Sequence, residues 1–347
     1  MEAGTWPVRK EVDSMNQEPP FALQIEPVEG CTLACSFCGI SSIRSNGADA
    51  ATGKHGTGSP PYRFMDMATV YRLAEEVHRL KWNPRIEFAM HGEPTLHRML
   101  PNMIRAFRML LPKAYIMVTS NGSGVTTTEK LLGLFNAGLN TLALDDYKHA
   151  HFMQRVRPLV HEAMLVHGIP YFNYPADPRG NPHQRHAKRM VAILADISAN
   201  STGTHQLTNQ GCSNSIAAEE LNERCAKPFR ELSVRWDGNV ALCCDDWRGV
   251  YKIGNVQHMP LDTLWNHERF EAARRTLYAG QRTFAPCRGC NVRTYRNGLL
   301  PDKKGQGTMP APDADTRRTV RGALAGQVFT LKLASPMRAV RIGRDEK

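Results

Sequence analysis

Hydrophobic positions along the first two thirds of the chain alternate between short apolar runs and stretches with helical spacing. The run FALQIEPVE at residues 21–29 is typical of a buried strand, and MDMATVYRLAEEVHRL predicts a helix capped by Asp66. RIEFAM, AYIMVTSN and NTLALDDY predict further strands, with helices predicted by MLPNMIRAFRMLL and TEKLLGLFNAG between them. MVAILADI and THQLTNQG predict two more strands. Repeated units of this kind indicate a parallel sheet covered by helices.

Polar and cysteine-containing motifs follow four of these strands. No G-x-G-x-x-G follows any strand, so the pattern favours a barrel, open or closed, over a dinucleotide-binding sheet. Chemistry in such barrels gathers at the C-terminal ends of the strands. The motifs at those ends are GCTLACSFCGI (30–40), HGEPT (91–95), SNG (120–122) and DDY (145–147). The sequence therefore predicts that all four share one rim.

The first motif carries three cysteines in a C-x3-C-x2-C pattern, Cys31, Cys35 and Cys38. A structural zinc site uses four protein ligands, and an iron–sulfur cubane is usually held by four thiolates. Three thiols leave one coordination position free, which favours a cluster with one open iron. A catalytic three-ligand zinc site and a disulfide with a spare thiol are the alternatives.

Composition defines the setting of these cysteines. The chain has 347 residues, which suggests about two domains. Its 41% hydrophobic and 22% charged residues are typical of a globular protein. The start of the chain shows no signal-peptide core, and no stretch is long enough to cross a membrane, so we expect a cytoplasmic protein, in the host cytoplasm if viral. In a reducing compartment, nine cysteines indicate metal binding or catalysis before disulfides.

The net charge of +11 is unevenly distributed. Residues 291–347 hold twelve Lys or Arg against five Asp or Glu, and PRGNPHQRHAKR at 178–189 is also basic. Such patches favour a polyanionic partner, nucleic acid first and an acidic protein or peptide second. A solvated basic surface is the alternative, since charge runs alone are unspecific.

The cysteine motif with its phenylalanine, followed by G-E-P after the second strand, resembles the radical SAM superfamily. The resemblance covers roughly residues 21–215 and implies a partial (β/α)6 TIM-like barrel within the α/β class. It also implies that Cys31, Cys35 and Cys38 bind a [4Fe–4S] cluster whose open iron chelates S-adenosylmethionine. An electron from the cluster would split this cofactor, and the 5′-deoxyadenosyl radical would take a hydrogen atom from the substrate.

The same resemblance implies a set of residues that bind the cofactor. The G-E-P segment would contact the methionine amino group, partly through backbone carbonyls, and a phenylalanine would pack against cluster and adenine. His91 stands where many members carry another glycine. The polar residue after the fourth strand would approach the ribose, and the one after the third strand would lie on the same rim. Each could instead cap its own turn. The implied cofactor-binding residues are Phe37, Gly92, Glu93, Pro94, Asn121 and Asp145.

A second cysteine group lies further along the chain. Cys225 precedes an apolar strand, Asp237-Gly238 predicts a hairpin turn, a Cys-Cys pair lies on the predicted returning strand, and C-x2-C follows. This order resembles the SPASM and twitch extensions of radical SAM enzymes. The resemblance implies one auxiliary [4Fe–4S] cluster, whose ligands would be Cys225, Cys243, Cys287 and Cys290. Adjacent strand residues point to opposite faces, so only one of Cys243 and Cys244 should face it. A four-cysteine zinc site is the alternative.

We therefore expect four parts: an N-terminal extension (1–20), a radical SAM barrel (21–215), a small cysteine-rich auxiliary domain (216–295) and a basic tail (296–347). The tail segment VFTLKL predicts one terminal strand. Residues 41–61 predict a loop that covers the substrate or is a disordered insertion.

The sequence leaves several classes of substrate open. The expected partners are S-adenosylmethionine, an electron donor such as flavodoxin or ferredoxin, and DNA, with no membrane. The charge favours a modified nucleobase in DNA, with isomerisation of a glycine adduct on thymidine in viral DNA hypermodification as the specific hypothesis. A peptide maturase and a small-molecule dehydrogenase are the enzymatic alternatives. A zinc-stabilised nucleic-acid-binding protein is the non-enzymatic one.

Overall fold

The structure is a computed structural model, and it divides into two compact units, residues 1–298 and 299–347. It describes residues 18–33, 38–40, 48–49, 54–55, 62–146, 152–174, 176–182, 189–195, 210–213, 221–292, 319–324 and 327–332.

The first unit is built on six parallel strands. These are β1 (Ala22–Ile25), β6 (Arg85–Phe88), β7 (Ile116–Ser120), β8 (Thr141–Asp146), β9 (Tyr171–Tyr174) and β10 (Met190–Ala195). Their order in the sheet is β1-β6-β7-β8-β10-β9, so the last two strands exchange places relative to the chain. Every pairing among these six strands is parallel. All carboxyl ends therefore lie at one edge, as the sequence predicts.

Helices connect these strands. They are α1 (Met67–Arg79), α2 (Leu100–Leu110), α3 (Thr128–Asn136) and α4 (Arg157–His167). The predicted cap of α1 is confirmed, because the Asp66 carboxylate accepts the Thr69 N–H at 2.6 Å. A turn of π-helix, Phe152–Val156, leads into α4, and Gly168 ends α4 in the left-handed conformation. Buried side chains from the helices and the strands form a main apolar core, and a second, smaller cluster contains Tyr115, Met117, Ala143, Met190 and Ala192.

Three further strands extend the same sheet beyond β1. They are β11 (Glu231–Val234), β12 (Asn239–Ala241) and β13 (Lys252–Asn255). β11 pairs with β1 in parallel, and β12 and β13 continue antiparallel, giving nine strands in the order β13-β12-β11-β1-β6-β7-β8-β10-β9. The predicted turn at Asp237-Gly238 is confirmed, with Gly238 at φ +79° and a hydrogen bond from the Arg235 N–H to the Asn239 carbonyl. Helices α5 (Lys227–Arg230), α6 (Leu261–Trp265) and α7 (Glu268–Tyr278) accompany this extension.

Short strand pairs complete the description. β2 (Val28–Glu29) pairs with β5 (Arg63–Phe64), and β3 (Ala48–Asp49) pairs with β4 (Lys54–His55). In the second unit, β14 (Thr319–Leu324) pairs antiparallel with β15 (Gln327–Lys332), so the single strand predicted there has a partner. The described helices are too short and too polar to cross a lipid bilayer.

One strand prediction is wrong in the structure, and two further predictions fall mostly outside the described residues. The Cys243-Cys244 pair was predicted on a strand, but β12 ends at Ala241, after a register shift against β13, and the pair follows in a turn. Most of the predicted strand THQLTNQG and most of the 41–61 loop lie outside the described residues, and the last two residues of that strand, Gln210 and Gly211, lie in a 3₁₀ turn, Gln210–Cys212. The proposed domain borders stay predictions.

Candidate functional site

The cysteine motif and the G-E-P motif meet directly at the carboxyl edge of the sheet. Gly30 and Gly92 form an isolated parallel bridge, in which the Glu93 N–H donates to the Gly30 carbonyl at 2.9 Å. A Cβ on Gly92 would lie 1.9 Å from the Val28 carbonyl oxygen, so only glycine permits this approach. The bridge therefore fixes the G-E-P backbone next to Cys31.

The buried Glu93 carboxylate accepts hydrogen bonds from neighbouring residues of the chain. It accepts the Asn121 N–H at 2.7 Å, the Ser120 hydroxyl at 2.5 Å, the Thr95 N–H at 2.9 Å and also the Thr95 hydroxyl. Burial raises the pKa of Glu93, although these donors oppose the rise. Pro94 begins a 3₁₀ turn, Pro94–Leu96, which Glu93 caps. The Glu93 side chain thus positions the segment, and the predicted contact of Gly92, Glu93 and Pro94 with the cofactor, partly through backbone carbonyls, stays a prediction.

Asn121 lies at the end of β7 and reaches the cysteine motif. Its Nδ2 donates to Cys31 Sγ at 3.2 Å, and the Leu33 N–H donates to the same sulfur at 3.4 Å. Beside this contact, the Thr32 hydroxyl donates a hydrogen bond to the Ser123 hydroxyl. The third-strand motif and the cysteine motif therefore share one site.

The structure describes only some of the remaining residues predicted for this rim. Cys38 is half-buried and is followed by the buried Gly39, whereas Cys35 and Phe37 lie outside the described residues. Asp145 is half-buried near the end of β8. Its neighbour Asp146 pairs with Arg157 at 3.1 Å.

The second cysteine group surrounds one pocket. The four thiols predicted as ligands line it together with apolar side chains from α5, α7 and the flanking turns. Within the part of the chain that the structure describes, no three His, Cys, Asp or Glu side chains are grouped tightly enough for a single metal ion. The pocket-lining residues are Gly211, Cys225, Lys227, Pro228, Leu242, Cys243, Asp245, Leu277, Arg282, Pro286, Cys287, Cys290 and Val292.

The chemistry of this donor set fits an iron–sulfur cluster. Burial raises the pKa of Cys225, Cys243 and Cys287. Thiolates in such a place need cationic partners, which cluster irons supply. The backbone contributes as well, since the Gly211 N–H donates to Cys290 Sγ at 3.3 Å. These four thiols would hold an auxiliary cluster, and Cys31 and Cys38 offer two of the three thiols for the first one.

Cys244 lies apart from that pocket. Lys227 Nζ donates to Cys244 Sγ at 2.9 Å and lies at the same distance from Asp245 Oδ2. Burial opposes the charge on Lys227, but Asp245 and the neighbouring groups outweigh it and raise the lysine pKa. Of the adjacent pair, only Cys243 lines the pocket, and Cys244 is the partner of a buried lysine; Cys243 as a cluster ligand stays a prediction.

A buried polar bridge joins the two cysteine regions. His91 Nδ1 lies 2.8 Å from Glu26 Oε1, and its Nε2 lies 2.8 Å from the Cys244 carbonyl oxygen. The ring packs against Trp247 with centroids 4.6 Å apart. Trp247 also covers Gly39, where a Cβ would lie 2.5 Å from the indole. The residue that departs from the common glycine pattern thus adds a side-chain connection between the barrel and the extension.

Further charges complete this bridge. Arg235 donates to Glu29 and lies 3.6 Å from Glu26, and the Trp236 N–H donates to Glu26 at 3.0 Å. Burial alone would raise the pKa of Glu26, but His91 and Arg235 outweigh burial and lower it. Sequence reasoning noted His91 as unusual and missed its partners, because Glu26 and Cys244 lie 65 and 153 positions away in the chain and such distant pairs show no periodic signal.

The fold and these two thiol groups define a radical SAM enzyme. The Radical SAM superfamily model matches residues 25–145, and the SPASM model, described as an iron–sulfur cluster-binding domain, matches residues 225–291. The chain therefore carries a radical SAM domain followed by a SPASM domain. Its cofactors are accordingly [4Fe–4S] clusters and S-adenosylmethionine.

The chain is similar to the S-adenosyl-L-methionine-dependent 2-deoxy-scyllo-inosamine dehydrogenase of Niallia circulans. They are 22% identical over 270 residues, which cover 78% of this chain and 92% of the relative. The structure of BtrN in complex with AdoMet and 2-DOIA shares the fold, with a TM-score of 0.58, 21% identity, and coverage of 79% of this chain and 94% of BtrN. BtrN in an open conformation gives a TM-score of 0.52 at 20% identity, over 80% of this chain and 94% of that one.

These matches confirm the predicted α/β radical SAM fold with a C-terminal SPASM-type domain. They give no support to the viral DNA hypermodification branch or to an isomerase, which the sequence analysis had favoured on charge alone.

Proposed function

We propose that this radical SAM enzyme is a dehydrogenase of a small polar molecule. The observation that carries the proposal is the auxiliary pocket, whose four thiols, three buried and one half-buried, lie beside the strands that extend the sheet of the radical SAM motifs. The similarity to a dehydrogenase along most of both chains supports it. The oxidation would be complete after loss of a hydrogen atom from a carbon bearing a hydroxyl or amino group, then of one electron from the resulting radical and of the proton on that hydroxyl or amino group.

The bound cofactors would supply the radical that removes the hydrogen atom and an acceptor for the second electron. The protein's own residues provide position. Glu93 holds the end of β7 against the G-E-P segment, and the Gly30–Gly92 bridge fixes that segment beside Cys31. Asp145 keeps its predicted place near the ribose as a proposal.

Polar groups beyond β8 are suited to a polar substrate. Arg157 begins α4 and pairs with Asp146 through Nη2. Its Nε is buried and has no hydrogen-bond partner among the described residues. A buried guanidinium N–H without a partner is costly, so a substrate oxygen at this position would be favoured. We infer that Arg157 contributes to substrate binding.

The test compares the reconstituted wild type with Cys287→Ala under anaerobic conditions. Wild type should contain about eight irons and form 5′-deoxyadenosine and a product two electrons more oxidised in equal amounts. Cys287→Ala should keep about four irons and AdoMet cleavage but lose the oxidised product. The first substrates are aminocyclitols, including 2-deoxy-scyllo-inosamine, with linear amino alcohols for comparison. Equal product from both proteins would contradict the proposal.

A nucleic-acid substrate is the second candidate and rests on the net charge of +11. The same assay decides between them when duplex DNA replaces the small molecules. Deoxyadenosine formation stimulated by DNA in a salt-sensitive manner would favour it. No stimulation, together with turnover of a small molecule, would reject it. A chemical reductant supplies the electrons in all of these assays. The natural electron donor and the cytoplasmic location stay predictions.

A further inference from the structure

Asn121 makes a side-chain hydrogen bond to a cysteine of the radical SAM motif. Its Nδ2 lies 3.2 Å from Cys31 Sγ, although the two residues are 90 positions apart in the chain. Asn121 itself is 9% exposed. The contact thus lies at the buried junction between the end of β7 and the segment that follows β2.

The orientation of this amide is fixed by the surrounding hydrogen bonds. Asn121 Oδ1 accepts the Ser123 N–H at 2.8 Å, so the oxygen end of the amide is occupied by a donor. The Asn121 backbone N–H is held by Glu93 at 2.7 Å. Because an amide presents its oxygen and nitrogen on opposite sides, the NH₂ group must face the sulfur.

We propose that Asn121 is a positioning residue that sets the reduction potential of the radical SAM cluster through its N–H···S bond to Cys31. A reduced cluster carries one more negative charge than an oxidised one, and a donor to a ligand sulfur stabilises that charge. The hydrogen bond therefore raises the potential and makes the cluster easier to reduce. The sequence places Asn121 on the cofactor rim without naming a contact for it, and this role supplies one.

The experiment is a potentiometric titration of the anaerobically reconstituted enzyme, followed by electron paramagnetic resonance, without substrate. Asn121→Ala should shift the reduction equilibrium of the radical SAM cluster about tenfold toward the oxidised state, which is about 59 mV more negative for one electron. The auxiliary cluster is an internal reference and should not shift. Thr32→Val is the matched control, since it removes the hydroxyl contact to Ser123 but leaves the Cys31 sulfur untouched.

Each other outcome is decisive. An unchanged potential in a fully loaded Asn121→Ala protein would overturn the proposal, as would an equal shift in Thr32→Val. Where Asn121→Ala fails to bind its cluster, Asn121→Leu decides, because it fills similar space and removes the donor to sulfur without adding a charge. A negative shift in that variant supports the role. Loss of the cluster in both variants contradicts it, since a residue that only tunes the potential is not needed for loading.

The proposal is independent of the dehydrogenase assignment. The titration requires neither substrate nor product, so its failure leaves the proposed reaction untouched, and failure of the substrate search leaves the potential measurable.

Discussion

Replacing His91 by alanine tests whether the buried bridge holds the barrel and the extension together. The change removes the ring from Glu26, from the Cys244 carbonyl and from Trp247. A hydrogen bond to a charged group contributes about 1.5–3 kcal/mol, and an aromatic contact about 0.5–1.5 kcal/mol. The sum predicts a loss of roughly 3 kcal/mol or more from a typical total of about 5–15 kcal/mol.

The assay is urea unfolding of the reconstituted protein, followed by far-ultraviolet circular dichroism with iron content measured in parallel. Arg79→Ala is the control, because Arg79 pairs with Glu76 on the surface and should change the midpoint little. Glu26→Gln and the double variant complete a cycle that should show a coupling energy of about 1 kcal/mol or more. A His91→Ala loss below about 1 kcal/mol, or additive single effects, would refute this reasoning.

The same pair predicts a pH dependence. The pKa of Glu26 is lowered in the folded protein, because His91 and Arg235 outweigh the effect of burial. A carboxyl of this kind adds stability above its unfolded pKa, about 4.3, and loses it as the pH falls through the folded value. The difference between wild type and His91→Ala should therefore be full near neutral pH and shrink below about pH 4. A difference that grows with acidity would show that Glu26 is not the partner involved.

Two further predictions concern the cofactor sites. Cys243→Ala should lower the iron content from about eight to about four per chain, whereas Cys244→Ala should keep about eight, because only Cys243 lines the auxiliary pocket; iron and sulfide counting checks both, and the reverse pattern would exchange the two assignments. Gly92→Ala should abolish AdoMet cleavage, because its Cβ would meet the Val28 carbonyl, and retained cleavage would show that the backbone gives way; Gly133→Ala, with open space around its Cβ, is the control that should stay active.

The strand and helix pattern could be read from the sequence where periodicity was strong. The cap of α1 at Asp66 and the strand β8 follow local rules that need no tertiary information. The helix α4 was missed because its buried stripe contains little more than Val160 and Ala163. The exchange of β9 and β10 in the sheet could not be predicted either, since no local pattern encodes which strand lies at the edge.

The candidate site was predictable as motifs but not as contacts. Three of the four rim motifs meet as the strand ends require, with Asn121 on Cys31 and Glu93 on the end of β7. The bridge through His91, Arg235 and Trp247 depends on which distant segments pack together, so sequence gave only the unusual histidine. The net charge favoured a DNA substrate, which the comparisons do not support. A basic composition is compatible with many kinds of partner.

The pairing of β1 with β11 has a consequence for synthesis of the chain. Ala22 pairs with Glu231, so one edge of an early strand receives its neighbour only after roughly 200 more residues have been made. At about 5–20 residues per second, the nascent chain carries that apolar edge uncovered for roughly 10–40 seconds. An open hydrophobic edge invites pairing with other chains. We therefore expect the yield of soluble protein to depend on chaperones that shield β1 during translation, and truncated chains that end before β11 to aggregate.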